Sequence, residues 1–166
     1  MTDSVSAIPS MQCLVQRIIS GGQTGADRAA LDWALHHGVA HGGYCPKGRL
    51  AEDGPIAEHY GLQETDSDAY PVRTERNVLE SDATVIFTIA PELRAGAKLT
   101  SELAEKHGKP WLHVWPLARR DLSIVAVRAF VADHGVASLN VAGSRASQEP
   151  SVGAFVHEVL TRALLG

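Results

Sequence analysis

Val15-Gln16-Arg17-Ile18-Ile19-Ser20-Gly21-Gly22-Gln23-Thr24-Gly25-Ala26-Asp27-Arg28 is the stretch on which the fold turns. An apolar, β-prone run from Val15 to Ser20 predicts a strand. It enters a glycine-rich loop and continues as a helix from Gly25 to about His37, with Gly38 placed to cap its end. A strand that feeds a helix through a short loop is the repeating unit of a helix-covered parallel sheet.

Outward from this unit the alternation recurs. Ala40 to Cys45 reads as a second strand, Leu62 to Thr65 as a short edge strand, and Arg73 to Ser81 as a brief helix. Ala83-Thr84-Val85-Ile86-Phe87-Thr88-Ile89 is nearly continuous and β-rich, as a strand buried on both faces requires. A helix over about Ala97 to His107 ends at Gly108, and Pro110 to Trp115 is a further strand. Asp121 to His134 is helical, with Leu122, Val125, Ala126, Ala129 and Phe130 on the expected inner face. Ser138 to Val141 forms the last strand. The final helix, about Ser151 to Leu164, carries Val152, Phe155, Val156, Val159, Leu160 and Ala163 on one side. The expected fold is α/β: a Rossmann-like parallel sheet flanked by helices in three α/β/α layers. It occupies residues 15–166 as a single ligand-binding domain behind a flexible leader at 1–14.

The chain has 166 residues, 45% of them apolar and 20% charged, as is ordinary for a globular domain. Fifteen Lys and Arg against 19 Asp and Glu give a net charge of −4, so no basic footprint for nucleic acid is expected. Two cysteines without CxxC spacing predict neither a disulfide framework nor structural zinc. No signal peptide is recognisable and no apolar run reaches the ~20 residues of a membrane span. A cytoplasmic location without membrane partners is expected. Eight histidines show no paired ligand spacing, so no metal site is assigned. Trp33, Trp111 and Trp115 are read as core.

Ligands of parallel α/β sheets bind beyond the carboxyl ends of the strands. Four loops leave such ends. In the first, Gly21, Gly22 and Gly25 let backbone approach a ligand closely, with Gln23 and Thr24 between them. Asp27 and Arg28 open a helix whose start favours an anion. The spacing is neither GxGxxG nor a P-loop. The same residues also read as a plain turn, with Thr24 as N-cap and Asp27 completing a capping box. The second loop offers Lys47, Gly48 and Arg49 for a phosphate or other oxyanion, with Asp53 to orient them. Arg73, Thr74, Asn77 and the neighbouring Arg76 open the helix before the central strand, and Thr74 is positioned to cap it. Gly96 and Thr100 lie at another helix start near Glu102, and Ser144 and Arg145 follow the last strand.

These blocks, read in order, resemble the putative molybdenum carrier family, also called molybdenum cofactor carrier proteins, within the Lonely-Guy-like Rossmann superfamily. The likeness rests on Ile18 to Asp32 with its Gly-Gly-Gln-Thr-Gly-Ala-Asp-Arg core, and on Gly42 to Arg49 with Glu52-Asp53-Gly54. Arg73-Thr74, Asn77-Val78, Ser81 to Thr84, Gly96, Thr100, Lys109-Pro110 and Leu139 to Arg145 complete it. The resemblance implies a Rossmann-like fold and a small phosphorylated ligand, the molybdenum cofactor (molybdopterin), bound by a carrier that assigns no residue to catalysis. Relatives of this fold self-associate, which implies a homo-oligomer, a dimer or tetramer. A nucleoside-monophosphate phosphoribohydrolase or a nucleotide-derivative sensor is the alternative. For it Arg73 and Arg76 match, but Arg94 to Glu102 lacks the double glycine and shortens the Thr-to-Glu spacing by one.

Overall fold

A computed structural model describes residues 12–117 and 119–166. Five parallel strands form the main sheet: β1 (Arg17–Ile19), β2 (Ala40–Gly42), β7 (Ala83–Phe87), β8 (Trp111–Val114) and β9 (Ser138–Gly143), in the order β2-β1-β9-β7-β8. Helices α1 (Ala26–His37), α5 (Val152–Leu164) and α4 (Arg120–Asp133) pack side by side on one face, and α2 (Tyr70–Glu80) and α3 (Ala95–Lys106) on the other. The expected three-layer α/β/α architecture is the one observed.

Continuity of apolar residues explains where the core sits. All five residues of β7 are buried, and its neighbour β9 buries Leu139 and Val141. Above them the α5 series Val152, Phe155, Val156, Val159, Leu160 and Ala163 is buried as its spacing predicts. Trp33 is fully buried and donates from Nε1 to Thr161, whereas Trp111 and Trp115 are only partly covered.

Three expectations change. The inner face of α4 is Ser123, Ile124, Val127 and Val131, while Leu122 is 50% and Val125 62% exposed and Ala129 lies outward. Apolar residues lie on several sides of this helix; Ile124, Val127 and Val131 are the ones packed into the core, with Phe130 of the expected face partly buried against it. The strand expected over Ala40 to Cys45 breaks at Gly43 (φ 135°), where a Cβ would lie 2.2 Å from the carbonyl oxygen of Ser20. Past this bend β3 (Tyr44–Cys45) leaves the sheet and pairs with β6 (Gln63–Glu64) instead. Asn77 splints the bend, accepting from the Tyr44 N–H at 2.7 Å and donating to its carbonyl at 3.0 Å. The irregular loop from Pro46 contains a small hairpin, β4 (Leu50–Ala51) with β5 (Gly54–Pro55), seated on a second apolar cluster of Leu31, Cys45, Ile56, Tyr60 and Leu62.

Of the expected leader, residues 1–11 lie outside the described residues. At its end the Leu14 N–H donates to the Leu164 carbonyl, tying the chain's entry to its exit.

Candidate functional site

Helix α5, which follows β9, packs on one face of the sheet, and α3, which follows the adjacent β7, packs on the other. Where the helices after neighbouring strands part to opposite faces, a crevice opens beyond the strand ends. There the structure has a cleft of about 60 Å³, walled by Gly21, Gln23 and Asp27 below α1, Arg73, Thr74 and Asn77 from α2, and Gly96, Ala97 and Thr100 from α3. The end of β9 (Asn140 to Gly143) and Arg145 and Gln148 beyond it close the ring.

Most polar groups of this ring are held by their own chain. Arg73 is buried, donates to the Gly21 carbonyl at 2.7 Å, and lies 4.0 Å from the Asp27 carboxylate. Burial pushes the Asp27 carboxyl above the usual range, outweighing the pull of Arg73, the Gln23 N–H, Arg28 and Arg145. The guanidiniums of Arg73 and Arg145 both lie over the ring of Tyr70, at 5.3 and 5.5 Å from its centre. Such contacts with the negative face of an aromatic ring ease the approach of two like charges. Asn140 donates to Thr84 inside the sheet.

Gln23 differs. It is 5% exposed, and its Oε1 accepts from the N–H groups of both Thr24 (3.0 Å) and Glu52 (2.9 Å). Those two bonds fix which end of the amide is which, and the buried Nε2 is left with no acceptor among the described residues. A buried donor without a partner costs about 1–3 kcal/mol. Helix α3 adds a second unspent feature: no side chain caps its start, and a Cβ at Gly96 would meet no atom within 4 Å. Two guanidiniums, an orphaned amide donor and a helix start with its positive dipole end therefore converge on one small space. This arrangement suits an anion.

Residues 18–164 match the circularly permutated YpsA SLOG family. The chain belongs to this family. A crystal structure of the "Putative molybdenum carrier protein" of Syntrophus aciditrophicus SB is 41% identical to it, with a TM-score of 0.87 over 92% of this chain and 96% of that one. The resemblance drawn from the sequence blocks is the relationship found. Curated proteins yield no match.

In this SLOG chain the cleft gathers nine of the sequence candidates: Gly21, Gln23, Asp27, Arg73, Thr74, Asn77, Gly96, Thr100 and Arg145. The others are placed around it with other work to do. Arg28 donates to the Gly22 carbonyl and pairs with Asp53 at 2.7 Å. Arg49 spends its guanidinium on the carbonyls of Ile56, Leu62 and Ala57. Lys47 is exposed, and the Gly48 N–H donates to Glu64. Ser144 donates to Glu149. Thr24 does not cap α1: Gly25 is the N-cap residue, and the Thr24 hydroxyl bonds Glu52 and accepts from the Ala146 N–H. Thr74 does not cap α2 either, since that helix begins a turn earlier and the hydroxyl donates back to the Tyr70 carbonyl. Arg76 stacks on Tyr44 rather than entering the cleft, and Glu102 is an exposed partner of Lys98.

The glycine loop is also more closed than its composition suggests. The Ala26 N–H donates to the Ser144 carbonyl and the Arg28 N–H to that of Gln23. A Cβ at Gly25 (φ 81°) would lie 2.3 Å from the Ser144 oxygen, so this glycine admits the chain's own 144–146 segment. At Gly22 the space is filled by Leu62 and Ile56. Asn140 and Gly143, from the Leu139 to Arg145 block of the likeness, and Gln148 line the cleft without being among the candidate site residues. Asn140 had a signal, a polar residue inside an apolar strand, whereas Gln148 had none.

Proposed function

We propose that this protein is a small-molecule binding protein that grips the anionic head of its ligand, a phosphate or another oxyanion, in the cleft between α2, α3 and the end of β9. The observation that carries this reading is the buried Gln23 amide, whose Nε2 lacks an acceptor in a cleft that also holds Arg73 and Arg145. An oxyanion would supply that acceptor and face both guanidiniums, which bind oxyanions with bidentate geometry.

Size bounds the ligand. A cleft of about 60 Å³ accommodates a few waters or one tetrahedral oxyanion, well short of the ~300–1,000 Å³ of an organic ligand site. It therefore takes the head of the molecule. The molybdenum cofactor, a pterin with a phosphate and an oxidised metal end, is the ligand this reading prefers, in keeping with the name of the Syntrophus relative. The head moves from the glycine loop, where the sequence suggested it, to the side of the cleft bordered by Gly96, because the Ala26 N–H that opens α1 donates to the Ser144 carbonyl of a neighbouring segment, whereas Gly96 faces open space.

Calorimetry with inorganic phosphate, molybdate and molybdenum cofactor is the test. Saturable binding that weakens in both Arg73→Gln and Arg145→Gln supports the reading. Failure of all three probes to bind, or to raise the melting temperature at large excess, where mass action must show it, removes it.

A further inference from the structure

Beyond Gln148, which is exposed to both, the anion cleft has a neighbour. A second cavity of about 320 Å³ lies over the ends of β7 and β9, bordered by Thr88, Ala90, Glu92, Arg94, Ser144 and Glu149. Near the start of α3, Gly96 lines the first space and Arg94, two residues before it, lines the second. At this volume the second space reaches the range of small-molecule sites, which the first does not.

Its chemistry is the reverse of the cleft's. Glu149 accepts from the N–H groups of Ile89 (2.9 Å) and Ala90 (2.7 Å) and from the Ser144 hydroxyl. Burial works against its charge, but these bonds hold the carboxyl below the usual range, so it is ionised. Among the described residues Oε2 takes only the Ala90 bond and keeps acceptor capacity in hand, as does the Ser144 oxygen. Thr88 gives its proton to the Ala90 carbonyl at 2.6 Å and so has none to offer. Glu92 adds a second carboxylate, paired at 3.6 Å with Arg94. A donor-rich cleft thus opens beside an acceptor-rich cavity.

From this polarity, and resting on the anion-cleft reading, we infer that the second cavity binds the body of the same ligand, and that this body carries hydroxyl or amino donors for Glu149 and Ser144. The ligand is then a phosphomonoester or similar oxyanion with a polar, donor-bearing organic part, and not a free inorganic ion. A bare oxyanion would leave the larger cavity unused.

Calorimetry with inorganic phosphate, ribose 5-phosphate and adenosine 5′-monophosphate separates the two spaces. The expectation is that at least one ester binds about tenfold or more tighter than inorganic phosphate, the gain that one well-placed charged hydrogen bond supplies. Ala90→Trp, which fills the second cavity from its wall, is expected to erase that gain and leave inorganic phosphate unchanged. Ala90→Leu is a smaller filler should the tryptophan variant not fold, and it is expected to reduce the gain. Esters that bind no tighter than phosphate, or a gain that survives in a folded filler variant, overturn the inference while leaving the anion cleft standing. Loss of inorganic phosphate binding in the wild-type protein overturns both.

Discussion

Two helices begin at the carboxyl edge of the sheet, and they differ in what their first turns do. Helix α1 follows three glycines in five residues, the composition of an anion cradle. Yet its opening N–H groups donate to the Ser144 and Gln23 carbonyls, and the glycines make room for neighbouring segments. Helix α3 follows an unremarkable Glu-Leu-Arg-Ala run, turns its Ala97 and Lys98 N–H groups back onto its own Arg94 carbonyl, and faces open space at Gly96. The arginines divide in the same way. Arg28 and Arg49 are consumed as cross-braces beneath the hairpin, whereas Arg73 and Arg145 border the cleft. Residue type marks which groups are able to bind an anion. Which of them border the cleft is decided by the fold.

The largest effect is expected where the first helix start is most closed. Gly25→Ala combines a positive φ with a Cβ driven into the Ser144 carbonyl, and is expected to cost more than about 3 kcal/mol. Urea unfolding measures it, and a loss under about 1 kcal/mol would mean that the 144–146 segment does not press on this helix start. Arg49→Ala comes next. It removes three guanidinium–carbonyl bonds from a part-buried site and is expected to cost about 2–3 kcal/mol. At a temperature where the variant stays folded, phosphate affinity should not change. A large fall there would return Arg49 to the binding site and blur the division between the two pairs.

Much of this frame is legible along the chain because it rests on local periodicity. The β7 run, the buried face of α5 and the alternation of strand and helix follow from residue spacing. The inner face of α4 does not, since apolar residues on nearly every side leave two competing stripes, and only packing against β8 and α5 chooses between them. The work of Arg49 is equally hidden. Its acceptors are backbone carbonyls at 56, 57 and 62, and every residue type has such a carbonyl. Arg73, by contrast, was identifiable as a candidate, but its place opposite Asp27 depends on the crossing of two helices from opposite faces. The bend at Gly43 lay within reach, because a glycine interrupting a strand pattern marks such breaks.

At the open helix start the effects fall on binding and spare the fold. Arg145→Gln removes one partly exposed guanidinium whose only ionic partner among the described residues is Glu52 at 3.9 Å. Phosphate affinity is expected to drop about tenfold, roughly 1.4 kcal/mol, with stability changed by less than about 0.5 kcal/mol. Gly96→Ala sharpens the same contrast. In a helix the substitution favours folding by up to about 1 kcal/mol, but here it places a methyl group at the cleft wall and should weaken phosphate binding. A variant that is stabilised and binds normally would show that the anion does not approach α3.

The smallest effect is a pH dependence, and its sign follows from Asp27. This buried carboxyl titrates above the usual carboxylate range and shares the cleft with Arg73 and Arg145. When ionised it cancels one of their two charges, and when protonated it leaves both to the ligand. An anion bound nearby raises its proton affinity further, so binding takes up a fraction of a proton and strengthens as pH falls towards the raised pKa. With sulfate, whose charge is constant over the range, affinity is expected to rise as pH falls from neutrality towards the raised pKa, because protonation removes the negative charge beside the guanidiniums. Calorimetry in buffers of different ionisation enthalpy reads the proton uptake directly. Asp27→Asn, neutral at every pH, should bind sulfate more tightly at the upper end and lose the slope. A slope that persists in this variant would assign the proton to another group and separate Asp27 from the anion cleft.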